Sequence, residues 1–600
     1  MIVLLSMSFS SAAQKDNDKN DSIKLYSNIE TYSERSGFTR LMYRLFFKPV
    51  TKSSKKSRLP LHAEQIPYSY FEGKTIRKIH IVTLDPFGNS IGDTIIASES
   101  FISKTGNKLH IKTHQHVIRN LLLIAENQVF DSLLVRESER LVRKNTFVSD
   151  VSFYVSSSSE NSDMVDIHIR VLDTWSIIPN GSYNAGRATV GLTEDNFVGF
   201  GHKFQNQFTW NTSNNAYAHN HGYYIPNFHN TYISSALIFR SEENKDYDVS
   251  FKVDRPFFSS FARWGAGVYL SQQFQQDFYP TNDTIPGKHT IRFNTMDYWA
   301  GKATPIFRGR SEIDRTTNLI TTIRYQRNHF LENSYVVEND EPVFANEDLF
   351  LAGITLAARR YVQDKYIFNF GLTEDVPVGR IISLIGGFQL RNNQKRPYIG
   401  TRFTLGNYYS RGYLSIDAEY GTFYHASNFE QGALSASLSF FTNLIEVGKW
   451  RFRHFVKPEL TIGVNRFAND GLTLNDGYGL TGFNSMGISG TKRLLLTLQT
   501  QSYAPWDLVG FNFGPFLSLS LGILADETKA FKKSKVYSQI GVGVLIKNVH
   551  LVINTFHVSL AFYPSIPGIG NDILRINSFR TTDFGFTDFV IGKPEVVIFQ

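Results

Sequence analysis

From Trp175 onward this chain alternates apolar side chains with small or polar ones at a period of two, and no other feature restricts its fold so strongly. Leu517-Ser518-Leu519-Ser520-Leu521-Gly522-Ile523 is one such run. Phe556, Val558, Leu560 and Phe562, alternating with His557, Ser559, Ala561 and Tyr563, form another. Successive residues of a strand point to opposite faces, so each run describes a strand with one greasy and one small or polar side. That suits lipid outside and water inside, although a soluble sandwich would also alternate. Beyond residue 13 no apolar run approaches the roughly 18 residues that a membrane-crossing helix needs.

The connections separate the two possibilities. Short turns are predicted at Val198-Gly199-Phe200-Gly201, His229-Asn230-Thr231, Ser259-Ser260-Phe261, Asp375 to Gly379, Ser410-Arg411-Gly412 and Asp507 to Gly510. Longer loops lie between them, at Phe278 to His289, Leu331 to Asp348, Asp470 to Gly490 and Ser565 to Asp583. Outer-membrane barrels have this asymmetry of short and long links. Tyr223-Tyr224, Phe257-Phe258, Tyr408-Tyr409 and Trp506 fall just before short turns, where an interfacial aromatic girdle belongs. The strand parse gives about 20 strands between Trp175 and Phe599. Leu349 to Glu374 is too long for one spanning strand of about ten residues.

Composition narrows the rest. Of 600 residues, 42% are hydrophobic and 19% charged, which excludes a disordered chain. There is no cysteine, hence no disulfide, Cys-ligated metal or thiol nucleophile. A net charge of +8 is thin for this length and its Lys and Arg are scattered, which argues against nucleic acid as a partner. Ile2 to Phe9 followed by Ser11-Ala12-Ala13 reads as a secretory signal peptide over 1–13, and 14–67 reads as a polar linker.

Residues 68–173 read as a small α+β domain in the order strand, helix, helix, strand, strand. Ile79 and Ile81 mark the first strand. His116 to Glu126 carries Val117, Leu121, Leu122 and Ile124 at helical spacing. Asp131 caps the next helix, whose inner face is Leu133, Leu134, Ser138, Leu141 and Val142. Val151, Phe153 and Val155, then Val165, Ile167, Ile169 and Val171, form a hairpin.

This order resembles a POTRA (polypeptide-transport-associated) domain, and the chain from Ile76 to Phe599 is similar to the BamA/TamA outer-membrane assembly family. The resemblance implies a mainly β fold: a large antiparallel transmembrane barrel of 16–20 strands (174–600), where the family commonly has 16, behind one periplasmic POTRA-like domain. It also implies a long loop before the last five strands that enters the lumen with a Val/Ile-Arg-Gly-Phe motif. Leu480-Thr481-Gly482-Phe483 sits at that place, with Thr481 where the family has Arg. The family's Arg meets an acidic group on the barrel wall. Val509-Gly510-Phe511-Asn512-Phe513-Gly514, the next-but-one strand, where the resemblance places that partner, has no Asp. Val597 and Phe599 resemble the terminal aromatic strand that presents such barrels for assembly, with Pro594 expected to weaken its pairing.

Other constellations carry no chemistry. His219 with His221, and His114 with His116, lack the third and fourth ligands of a metal site. Ser485 stands outside nucleophile-elbow spacing, and there is no phosphate-binding Gly-Lys-Ser/Thr loop. The expectation is a non-enzymatic outer-membrane protein without cofactor or metal. Lipid, unfolded or exported client polypeptides and periplasmic accessory proteins would be its partners, and it would assist insertion or translocation of proteins. The alternative is a passive transport channel or receptor on the same barrel.

Overall fold

The computed structural model describes residues 66–86, 91, 110–158, 162–184, 186–279, 287–333, 345–392, 394–467, 470–508, 511–526, 530–548, 555–587 and 589–600. The expected leader and nearly all of the linker lie outside these residues, as do Val509 and Gly510.

The first unit contains β1 (Thr75–Leu84), α1 (Gln115–Arg119), α2 (Ser132–Arg143), β2 (Val148–Ser157) and β3 (Met164–Asp173). Strand β3 is central, parallel to β1 and antiparallel to β2. Its Val165, Ile167, Ile169 and Val171 are fully buried, and Ile79 and Ile81 of β1 join the same core. Asp131 caps α2 by accepting from the Leu133 and Leu134 amides at 3.0 and 3.3 Å. Ser138, Leu141 and Val142 face inward as expected, together with Val135, which the pattern passed over. The helix expected through Glu126 ends at Arg119 instead. Leu121, Leu122 and Ile124 are buried in turns, and the Leu123 amide donates to the Ser138 hydroxyl of α2 at 2.9 Å. Tertiary packing thus satisfies this stretch without a helix, overriding its periodicity.

Among the described residues twenty-two further strands follow, from β4 (Ile177–Asn184) to β25 (Gly570–Ile576). Two of them, Ile445–Val447 and Asp507–Leu508, are short pieces within connections, which leaves twenty long strands. Successive long strands pair antiparallel, and the strand order closes into a ring with β25 beside β4. Residue-by-residue ladders run from β4 to β25; among the described residues none is seen across the β25–β4 seam.

Side chains sort between the two faces as the alternation requires. In strand Thr555–Ile566, Val558 and Leu560 are 49% and 41% exposed, whereas Ser559, Ala561 and Tyr563 are buried inside the ring. In strand Phe511–Ala525, Leu517 is exposed and Ser518 and Ser520 are buried. A ring with an apolar outside and a polar, filled inside is a surface for lipid, not a sandwich half. No helix among the described residues is long and apolar enough to cross a membrane.

Three connections differ from expectation. Asp375 to Gly379 is not a turn but part of strand Thr373–Arg391; the chain reverses at 366–372, after strand Glu347–Lys365. This resolves the overlong stretch as one 19-residue strand, its turn and the start of a second 19-residue strand, each strand longer than the hydrocarbon core needs. The side carrying the long link at 465–491 also carries a two-residue turn at 426–427, so the asymmetry is partial. Ser565 to Asp583 is a tight hairpin followed by β25, after which the chain leaves the sheet at Ile576. Val597 and Phe599, expected on a final strand, therefore lie on no strand at all. Pro594 offers no amide to a ladder, and the apolar side chains around it find pockets inside the ring.

Candidate functional site in the barrel interior

Two segments fill the lumen. The first is the loop from Asp470 to Gly490, followed by five long strands as expected. Leu474, Leu480 and Phe483 are fully buried in one cluster with Phe516, Tyr563 and Phe579. Because Phe516 and Tyr563 are inward-facing wall residues, the loop folds back inside the ring. Gly482 has φ +72°, and a Cβ there would stand 2.4 Å from the Tyr563 hydroxyl. Glycine is needed both for the backbone angle and for the close approach. The Tyr563 hydroxyl donates to the Thr481 carbonyl at 2.6 Å, and Phe483 meets Tyr537 and Tyr563 at ring distances of 5.7 and 6.3 Å. Within the loop, Asn475 Oδ1 accepts from both the Ser485 amide and the Ser485 hydroxyl at 2.8 Å. Ser485 is thereby a loop clasp.

Where the family has Arg, Thr481 contributes its carbonyl. The cation is on the wall instead: Arg493, buried, donates to the Thr473 carbonyl at 3.0 Å and so holds the start of the loop. A buried guanidinium with carbonyl partners avoids the cost of a stranded charge.

The second segment is 577–600, whose place in the lumen the alternation did not reveal. It descends along strand Thr555–Ile566, where the Ser559 hydroxyl donates to the Phe579 carbonyl at 2.8 Å. Thr581 donates to the Phe368 carbonyl in the turn at 366–372, at 3.1 Å. Phe584 then packs on Phe368 and Phe455 at the end of the barrel that faces the first unit. The chain crosses there, burying Phe589 and Ile591 with Phe257 and Trp299, and climbs the opposite wall. Lys593 pairs with Asp297 at 2.7 Å, and the Val597 amide donates to the Tyr398 hydroxyl at 2.9 Å. Phe599 ends under the Arg466 guanidinium, 4.3 Å from its ring centroid. A cavity of about 510 Å³ remains between Val590 to Ile598 and wall residues including Asp254, Arg402 and Glu419.

Polar contacts fix the first unit to this end of the barrel. Arg143 of α2 pairs with Asp375 at 2.8 Å and also with Glu139. Arg140 donates to the Phe258 carbonyl at 3.0 Å and lies 4.1 Å from the Tyr361 ring centroid. Asp131, the α2 cap, also receives Arg315 from the link that leads into strand Thr317–Asn333. Burial pushes the Glu139 carboxyl above its ordinary value even with Arg143 beside it. The Asp131 bond raises the Arg315 guanidinium still further, so that cation stays charged.

His219 and His221 lie with ring centroids 5.8 Å apart, and His114 and His116 lie 5.4 Å apart. Among the described residues no three His, Asp or Glu side chains converge as a metal would require. Of the aromatic pairs, one member typically turns inward: Phe257 is buried, and Tyr408 donates to Asp364 at 2.8 Å while Tyr409 is exposed.

The fold is a large antiparallel β-barrel with an apolar outer face, as membrane-spanning barrels have. Neither a family model nor a curated protein matches the chain. Among solved structures it is similar to BamA from Haemophilus ducreyi lacking POTRA domains 1–3, at 12% identity and a TM-score of 0.30 over 84% of each chain. It is also similar to CdiB from Acinetobacter baumannii, at 9% identity, and to CdiB from Escherichia coli, at 10%. Both alignments cover 94% of this chain and 98% of the other, with TM-scores of 0.37 and 0.40.

Proposed function

We propose that this protein acts at the bacterial outer membrane, where it assists insertion or translocation of polypeptides without a cofactor. Residues 68–173 serve as a single POTRA-like periplasmic domain, and 174–600 form the barrel and its contents. The observation that carries the reading is the lumen loop: Gly482 and Phe483 dock on Tyr563 five strands before the sheet ends, at the place the BamA/TamA resemblance assigns to the family's motif.

In this reading the small sheet captures the client. The outer edge of β1 is occupied, since Ile76 exchanges backbone hydrogen bonds with Asn127 and Gln128 at 2.8 Å. The outer edge of β2 has no strand against it among the described residues. An extended client adds there by main-chain hydrogen bonding and is passed to the barrel. The need for help is physical: a strand entering hydrocarbon unpaired leaves backbone groups that cost several kcal/mol each. The alternative, a passive channel, is opposed by the passage of 577–600 through the lumen beside the inward loop, which leaves a cavity of about 510 Å³ rather than an open pore.

The test is reconstitution. Purified protein in liposomes is expected to speed folding of an added test barrel, and a photo-crosslinking residue at Tyr154 of β2 is expected to capture that client. A protein that conducts ions or solute yet leaves the folding rate unchanged would be a channel, and the assembly reading would be wrong.

A further inference from the structure

We propose that the inner wall of the barrel is a binding track for extended polypeptide, and that residues 587–600 are its resident, removable occupant. This rests on the assembly reading above and adds a gate to it: a client entering the lumen takes the place of this segment.

The wall grips the main chain of the segment at four points. Arg359 donates to the Phe589 carbonyl at 2.9 Å and Arg324 to the Pro594 carbonyl at 3.2 Å. Tyr398 accepts from the Val597 amide, and Arg493 donates to the Gln600 carbonyl. Main-chain contacts are indifferent to sequence, which is what a track for varied clients requires. Side chains add a preference. Phe589 and Ile591, two residues apart, are buried in the apolar pocket of Phe257 and Trp299, while Val590 between them is half exposed. Lys593 follows on Asp297. The favoured guest is an extended segment with alternate apolar residues followed by a basic one.

The wall is also built to survive the guest's departure. Arg359 keeps the Phe257 carbonyl at 2.7 Å. Arg324 keeps both oxygens of Asp297 at 2.9 Å, and Asp297 in turn keeps Arg324 when Lys593 leaves. Arg493 keeps the Thr473 carbonyl. A core segment whose loss stranded buried charges would be locked in place; here each cation lends one donor to the guest and holds another partner of its own.

Ion conductance in planar lipid bilayers tests the proposal with the full chain, a variant ending at Phe586, and G353C/P594C in the full chain. A Cβ on Gly353 would stand 3.4 Å from that of Pro594, close to the separation in a disulfide, and the chain has no cysteine of its own. Truncation is expected to raise conductance several-fold, and a synthetic peptide of residues 587–600 to lower it again at a lower concentration than a scrambled one. The oxidised double variant is expected to exclude the fluorescent peptide and to admit it after reduction. Unchanged conductance on truncation, or equal peptide entry into the crosslinked and reduced forms, overturns the proposal. Should the truncated barrel fail to fold, the crosslinked full chain decides alone. A pore that opens on truncation but never speeds folding of a test barrel would sink the assembly reading while leaving the gate standing.

Discussion

At the scale of single residues, Gly482 shows how one missing side chain sets a loop's position. Its left-handed backbone angle costs any other residue roughly 1–3 kcal/mol, and the space where its Cβ would go is held by the Tyr563 hydroxyl. Gly482→Ala is therefore expected to loosen the loop at 470–490, read as faster cleavage there by added protease. Tyr563→Phe removes one hydrogen bond to the Thr481 carbonyl, worth about 1 kcal/mol. It also clears space, so the double variant should lose less than the sum of the two singles. Simple additivity would show that the glycine and the tyrosine are not coupled as the geometry requires. Gly482 and Phe483 were singled out by the BamA/TamA resemblance, from their place before the last five strands, and not by local pattern. Tyr563 was not singled out, because an inward tyrosine on an alternating strand looks like any other wall residue.

At the scale of elements, α2 is the joint between the small sheet and the barrel. Its capping residue Asp131 and its inner face were readable from residue spacing, but its basic end was not. Arg140 and Arg143 look like solvated helix charges, whereas they are buried or nearly so against Phe258, Tyr361 and Asp375. Arg143→Ala leaves Glu139 and Asp375 without their shared cation. Partial exposure of that pair brings the expected loss to about 1–3 kcal/mol, below the figure for a fully buried ion pair. A double-mutant cycle with Asp375→Ala, read by hydrogen exchange of α2, should give a coupling of about 0.5–3 kcal/mol. A coupling near zero would mean that the small unit is held elsewhere.

At the scale of the whole molecule, two environments meet across one sheet. Val542 is 51% exposed on the outer face of strand Val536–Asn548. Val542→Arg is expected to destabilise the barrel in lipid vesicles by about 2–4 kcal/mol, the cost of a cation near the bilayer midplane. The same change at Ser538, on the same outer face but close to the end of that strand, should cost less. Denaturant unfolding in vesicles measures both. An unchanged midpoint for Val542→Arg would remove the lipid from outside the ring.

The sequence by itself determined the strand period, a strand number near twenty and the order of elements in the first unit, whereas the place of the inward loop came from the BamA/TamA resemblance. These follow from nearest-neighbour physics: a pleated backbone alternates its side chains, and glycine alone tolerates certain angles. It did not determine where 577–600 goes. Val596, Val597, Ile598 and Phe599 are as apolar and β-branched as a strand, and only the tertiary structure, in which the sheet ends at Ile576 with β25 beside β4, places them in the interior instead. Arg324, Arg359 and Arg493 lie far from that segment in sequence and meet it only because the barrel curves round it. Local patterning fixes which face a residue takes; what that face encloses is decided by closure.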